Sequence, residues 1–182
     1  MSGQIDLFQI VVIIFSIVVI STDLIHGKIY NWLTFPGIIT GIIYSIWTGN
    51  LEGLALSLAA IVIAFLIYGS LLFLRVLGAG DVKLLMALGA WGGVEYTLKV
   101  SFLGIMLGGV FAFIILLYKR KLMNFFYKMY YFFATLVIRD LEVIFPKADE
   151  KLKMPFGLAI SAAACWVAFG TPFRSLGLIW LS

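Results

Sequence analysis

The sequence predicts an all-α membrane protein with about six transmembrane helices, and two observations indicate this class. Of the 182 residues, 63% are hydrophobic and only 12% are charged, whereas a soluble domain carries about 25% charged residues. A chain of this size cannot hide so much apolar surface from water, so it belongs in a bilayer. The second observation is that apolar runs close to the length of a membrane span recur along the chain.

Six apolar runs are candidate spans, because a helix needs about 17–25 apolar residues to cross a bilayer. No basic residue precedes the first run, which argues against a secretory signal peptide and for a retained helix. The fourth run is short and rich in glycine, which favours a thin, tilted or partly re-entrant helix. The predicted spans are residues 5–22, 32–48, 54–76, 82–97, 99–118 and 155–170.

Residues 119–153 differ from the rest of the chain in composition. They mix aromatic, basic and acidic residues, and their uncharged stretch 129–138 is too short to cross a membrane. This pattern is typical of an interfacial amphipathic helix with aromatic rings at headgroup level. We therefore expect one membrane-embedded domain over residues 1–182, with 119–153 as its cytoplasmic or interfacial segment.

The lysines and arginines predict the orientation. If residue 1 lies outside and the spans alternate, all but two of the 13 lysines and arginines fall on the inner side, the two being Lys99 and Arg174. Cytoplasmic segments of membrane proteins carry such an excess. We therefore expect a multi-pass protein of the cytoplasmic membrane with both termini outside. The connections 23–31 and 77–81 then lie on the cytoplasmic side.

This orientation places two aspartates at the same depth near the inner surface. Asp23 follows the first predicted span, and Asp81 precedes the fourth. The other acidic residues fall on the outer side or in the basic segment 119–153, where solvent and salt bridges account for them. A carboxylate among apolar residues is costly and usually functional in a membrane protein, so Asp23 and Asp81 are the candidate functional residues.

Two carboxylates that share a site suit the hydrolysis of a peptide bond. They cannot both be ionised, so one keeps its proton while the other draws a proton from water. Such a site needs no metal, no cofactor and no covalent intermediate. The lone His26, the lone Cys165 and the lack of GxSxG, HExxH and P-loop motifs leave the aspartates as the best catalytic candidates.

The residues before Asp81 have two interpretations. Gly78 and Gly80 flank Ala79, and glycine permits positive φ and the close approach of an extended peptide to the backbone. The alternative is a plain turn at the start of a helix, with Asp81 as its N-cap. The pattern G-x-G-D alone favours the second interpretation, and the presence of Asp23 at the same depth favours the first.

Several neighbouring residues also admit structural roles. Lys83 either binds substrate and tunes the aspartates or extends its amine to the headgroups. Asn31 is expected to be the N-cap of the second helix. The tryptophans Trp32, Trp47 and Trp91 lie near predicted span ends, as in an interfacial aromatic belt.

Three stretches, in order, resemble the type IV prepilin peptidases, which are membrane aspartyl proteases of the GxGD class. They are "STDLIHGKIYNWLT" (21–34), "GAGDVKLLMALGAW" (78–91) and "KMPFGLAISAAA" (153–164). The resemblance implies that Asp23 and Asp81 are the catalytic pair and that Pro155, Phe156 and Gly157 line the site. It also implies a prepilin-like substrate, whose short basic leader is removed at the cytoplasmic face.

The resemblance sets further expectations. Many bacterial members of the family carry an N-terminal domain with two CxxC pairs and also methylate the new N-terminus, but this sequence has one cysteine. We therefore expect the short form, with peptidase activity only. Anionic lipid headgroups are expected partners, because the inner side of the protein is basic. Nucleic acid is not an expected partner. The natural pilin, the bacterial or archaeal source and the oligomeric state stay open.

Two other functional classes remain possible at this stage. A small proton-coupled carrier would also hold acids within the membrane, although both aspartates lie near one interface and no ladder of acids crosses the bilayer. In a non-catalytic pilus-assembly subunit, the aspartates would only cap helices. Cleavage of a prepilin-like peptide distinguishes a peptidase from both.

Overall fold

The computed structural model describes residues 6–74, 76–118, 127 and 156–170, and it is helical without a strand throughout these ranges. The prediction of an all-α fold is therefore confirmed. Three helices are long and apolar enough to cross a membrane, and the fourth is a shorter apolar helix. The helices are α1 (Leu7–His26), α2 (Asn31–Phe73), α3 (Ala79–Tyr118) and α4 (Phe156–Phe169).

α2 and α3 are each interrupted at one residue. Asn50 has φ 52° and ψ −136°, and Gly93 has φ 73° and ψ −171°. Neither conformation continues a right-handed helix, and asparagine and glycine are the residue types that best tolerate positive φ. The predicted connection between residues 48 and 54 contains the first break. The predicted boundary between 97 and 99 is wrong, because the second break comes earlier, at Gly93.

The chain folds back on itself at the break in α2. Ser45 and Ser57, on opposite sides of Asn50, both donate side-chain hydrogen bonds to the carbonyl oxygen of Ala90, at 2.9 and 3.0 Å. Ala90 lies three residues before the break at Gly93, where the helix ladder ends and carbonyl groups lose their usual partners. The two serines supply donors there, so the two breaks pack against each other.

α1 and α4 run side by side in opposite directions. At one end, the side-chain amide of Gln9 donates to the carbonyl oxygen of Ala168 at 2.8 Å. At the other end, a methyl group placed on Gly157 would lie 2.8 Å from Oδ2 of Asp23. The last turn of α1 therefore meets the first turn of α4, which is where the candidate site lies.

The three tryptophans near the predicted span ends have different environments. Trp32 and Trp47 are 64% and 79% exposed, as expected for an aromatic belt. Trp91 instead points into the protein, where its Nε1 donates to the carbonyl oxygen of Gly37 at 2.9 Å and its ring stacks on Tyr44. Trp91 is therefore partly buried against α2, unlike the exposed Trp32 and Trp47.

The chain forms two compact units. The first comprises residues 1–108 and 155–182, and the second comprises residues 109–154. The first unit contains the candidate site. The predicted interfacial segment 119–153 belongs to the second unit and, apart from Tyr127, lies outside the described residues.

Candidate active site

Asp23 lies in the last turn of α1, since the helix continues past the predicted end at residue 22 and reaches His26. Gly27 then adopts the left-handed conformation, with φ 61° and ψ 30°, and its N–H donates to the carbonyl oxygen of Asp23 at 2.8 Å. This is a common way for glycine to end a helix. It holds Asp23 on a rigid turn, with the residue only 9% exposed.

The Asp23 carboxylate faces the first turn of α4. The backbone N–H groups of Gly157 and Leu158 approach the carboxylate, and the N-terminus of a helix favours negative charge. Oδ2 nevertheless makes no hydrogen bond with any residue that the structure describes, although it is buried. This oxygen is therefore a buried acceptor that no described residue of the protein satisfies.

Asp81 is the third residue of α3 rather than its N-cap, so the structure does not support the alternative interpretation in which Asp81 is only an N-cap. Its Oδ2 accepts a hydrogen bond of 3.0 Å from the N–H of Gly78. Its own N–H donates to the carbonyl oxygen of Gly78 at 3.1 Å. The aspartate thus caps α3 from inside the first turn, and this contact fixes a carboxylate that is also 9% exposed.

Gly78 and Gly80 do not adopt the positive φ that glycine permits; among the described glycines, only Gly27 and Gly93 do. The reason is that α3 begins at Ala79, which places Gly80 in a right-handed first turn. Gly80 instead permits a close approach, since a methyl group there would lie 3.0 Å from Cβ of Ile29.

Ile29 lies between the backbone segments that position the two aspartates. It contacts Gly80, next to Asp81, and a methyl group on Gly157 would lie 3.1 Å from its Cδ1. Through Ile29, the segments that position Asp23 and Asp81 adjoin one another. Among the acidic residues that the structure describes, only these two are buried. The sequence carries no signal for the role of Ile29, which depends on contacts between distant segments.

Lys83 does not simply extend to the headgroups. Its ammonium donates a hydrogen bond of 2.8 Å to Oδ1 of Asn31 and lies 5.5 Å from the centre of the Phe35 ring. Asn31 is the first residue of α2, whose N-cap is Tyr30. The prediction that Asn31 caps α2 is therefore wrong, because its side chain faces Lys83 instead.

Tyr68 is a further residue near the site that sequence reasoning missed. It is fully buried, and its ring meets that of Phe156 edge-on, with the ring centres 6.4 Å apart. Its hydroxyl lies 3.5 Å from the carbonyl oxygen of Ser101. The one signal for Tyr68 in the sequence is that a tyrosine, which carries a polar hydroxyl, lies in the middle of the apolar run 54–76. Pro155, which was predicted to line the site, lies outside the described residues.

The first unit thus brings together Asp23, Asp81, Gly78, Gly80 and Gly157. The described residues contain no cluster of three or more histidine, cysteine or acidic residues that would hold a metal ion. Two neighbouring carboxylates, one ionised and one protonated, can act as general base and general acid on the same reacting group.

Comparison with protein families identifies a related family. A model of the type IV leader peptidase family matches residues 10–113, which is more than half of the chain and includes both aspartates. Neither a search of curated proteins nor a search of solved structures finds a match.

Proposed function

The chain belongs to the type IV leader peptidase family, and from that premise we propose that it is an aspartic endopeptidase that removes the leader from prepilin-like proteins. The observation that carries the proposal is the pair of buried aspartates, Asp23 and Asp81, at adjoining helix ends with Ile29 between their backbones. The family match does not favour a proton carrier or a non-catalytic assembly subunit.

The proposed reaction begins with water between the two carboxylates. The ionised aspartate takes a proton from the water as its oxygen attacks the carbonyl carbon of the scissile peptide bond. The protonated aspartate gives its proton to the carbonyl oxygen, so a neutral gem-diol forms. Either Asp23 or Asp81 can be the base, because the pair titrates as one unit.

The gem-diol then collapses. One hydroxyl returns its proton to the ionised aspartate, the other aspartate protonates the amide nitrogen, and the C–N bond breaks. The products are the leader with a free carboxylic acid and the amine of the new N-terminus, and the pair again holds one proton. The unpartnered Oδ2 of Asp23 supports this scheme, because a general base needs an oxygen that the protein itself does not occupy.

We further propose that the chain crosses the membrane six times. At about 1.5 Å per residue, 43 residues of uninterrupted helix would extend about 65 Å, about twice the thickness of the hydrocarbon core. Breaks at Asn50 and Gly93 support the division of α2 and α3 into two passes each. With the basic residues inside, the aspartates lie at the cytoplasmic side of the cell membrane, where the basic leader and anionic headgroups meet.

The proposal predicts that the purified full chain cuts a synthetic prepilin-like peptide with a basic leader, a glycine and an apolar stretch. Mass spectrometry of the products should show one cut, between the leader and the apolar stretch. Chelators and reagents against serine or cysteine nucleophiles should leave the rate unchanged, because the dyad uses neither a metal nor a covalent intermediate.

A matched peptide with a neutral leader serves as the control for recognition and should be cut more slowly. Inhibition by a chelator that added metal reverses would contradict the aspartic mechanism. A complete lack of cleavage in detergent and in lipid vesicles would contradict the peptidase function itself.

A further inference from the structure

Lys83 and Asn31 form a polar contact beside the candidate active site. The lysine ammonium donates a hydrogen bond of 2.8 Å to Oδ1 of Asn31 and lies 5.5 Å from the centre of the Phe35 ring. Within the ranges that the structure describes, it forms no ion pair with a carboxylate. A neutral amide and an aromatic face therefore hold this charge in one place.

The contact directs the lysine away from the nearest aspartate. Residues two apart on a helix do not face each other, and Asp81 bonds to the N–H of Gly78 rather than to Lys83. Because Asn31 engages the cation, Lys83 does not neutralise Asp81 through a direct ion pair. The aspartate can then share a proton with Asp23.

The same contact joins the first turns of α2 and α3 around Ile29. Asn31 begins α2 two residues after Ile29. Ile29 packs against Gly80 and Gly157, where added methyl groups would lie 3.0 and 3.1 Å from its side chain. Because these glycines adjoin the two aspartates, the position of Ile29 affects the separation of the carboxylates.

We propose that Asn31 and Lys83 are a positioning pair, whose hydrogen bond holds Ile29 between Gly80 and Gly157 and so sets the spacing of the two aspartates. The pair acts without contacting the substrate. This inference rests on the proposed function, because the spacing affects turnover only if both aspartates take part in the reaction.

Kinetics of leader cleavage test the pair. Asn31→Ala and Lys83→Met should each lower kcat about tenfold with little change in KM, because misplaced catalytic groups slow the chemical step. The double variant should be no slower than the slower single variant. Asn31→Asp keeps an acceptor for the lysine and should stay close to the wild-type kcat. Lys99→Met, which breaks the pair with the exposed Glu95 beyond the break at Gly93, is the matched control and should leave cleavage unchanged.

Two kinetic outcomes would overturn the proposal. If Lys83→Met raises KM while Asn31→Ala has no effect, Lys83 contacts the substrate directly. If the two losses multiply in the double variant, the residues act independently.

A structural readout keeps the pair testable whether or not the wild type cleaves. In a Cys165→Ala background, cysteines replacing Ile29 and Gly80 should oxidise to a disulfide, because their Cβ atoms would lie 3.0 Å apart and a shift of about 0.5 Å brings them into the usual disulfide range. Asn31→Ala and Lys83→Met should each slow this oxidation several-fold, and Asn31→Asp should restore it. An unchanged oxidation rate in both variants would contradict the role of the pair. If the wild type does not cleave the peptide, that result by itself contradicts only the peptidase function.

Discussion

Asp23→Asn and Asp81→Asn are each expected to reduce leader cleavage by at least about a thousandfold, because an amide can act neither as the general base nor as the proton donor. Asparagine has nearly the same shape as aspartate, so packing around both positions should be preserved. At position 81, the amide oxygen can still accept the hydrogen bond from Gly78. The measurement is the initial rate of peptide cleavage, with gel filtration to show that each variant folds.

Glu95→Gln is the matched control for these substitutions. It also replaces a carboxylate of α3, but Glu95 is exposed and pairs with Lys99 beyond the break at Gly93. Its cleavage rate should equal that of the wild type. The double variant of the aspartates should be no slower than either single variant, because residues that act as one unit do not contribute additively. Cleavage within tenfold of the wild type in either single variant would exclude the dyad.

Gly157→Ala is expected to lower kcat about a hundredfold, because displacement of a catalytic group by about 1 Å is enough for a loss of this size. The added methyl group would lie 2.8 Å from Oδ2 and 3.2 Å from Cγ of Asp23, and 3.1 Å from Ile29. Either the carboxylate or the first turn of α4 must move. The substitution acts on a residue that supplies no chemistry of its own, so it tests whether the observed geometry supports the reaction.

The control for this variant is Gly49→Ala, since no atom lies within 4 Å of a methyl group at that position. Gly49→Ala should keep the wild-type kcat and melting temperature. The loss of kcat in Gly157→Ala should be larger than its change in melting temperature explains, because the added methyl group collides with the Asp23 carboxylate itself. A wild-type kcat for Gly157→Ala would show that Asp23 does not need its observed position.

The features that the sequence predicts best are those that depend on composition and on order along the chain. Apolar run lengths correctly indicate an all-α protein, and the motifs around Asp23 and Asp81 correctly anticipate the family. The break at Gly93 is harder to place. The nearest charged residues, Glu95 and Lys99, come two and six residues after the break, so a boundary drawn at the charges falls too late, and several nearby glycines offer equal freedom.

The details of the site depend on tertiary contacts that no local pattern encodes. Glycine at position 80 is suited to positive φ, yet its role in the structure is to leave space for the side chain of Ile29. Asparagine is a common N-cap residue, but the side chain of Asn31 accepts a hydrogen bond from Lys83, which lies far along the chain. In both cases, a long-range partner decides between local roles that the sequence alone leaves equivalent.

The central claim is that Asp23 and Asp81 face one another closely enough to act on one water molecule. Cross-linking in native membranes tests it most directly, with both aspartates replaced by cysteine in a Cys165→Ala background. The matched control pairs position 81 with Leu24→Cys, since Leu24 is next to Asp23 in sequence but 59% exposed. We predict rapid bridging of positions 23 and 81 by a short bifunctional thiol reagent and little bridging in the control. Equal, slow reaction in the two pairs would contradict the account.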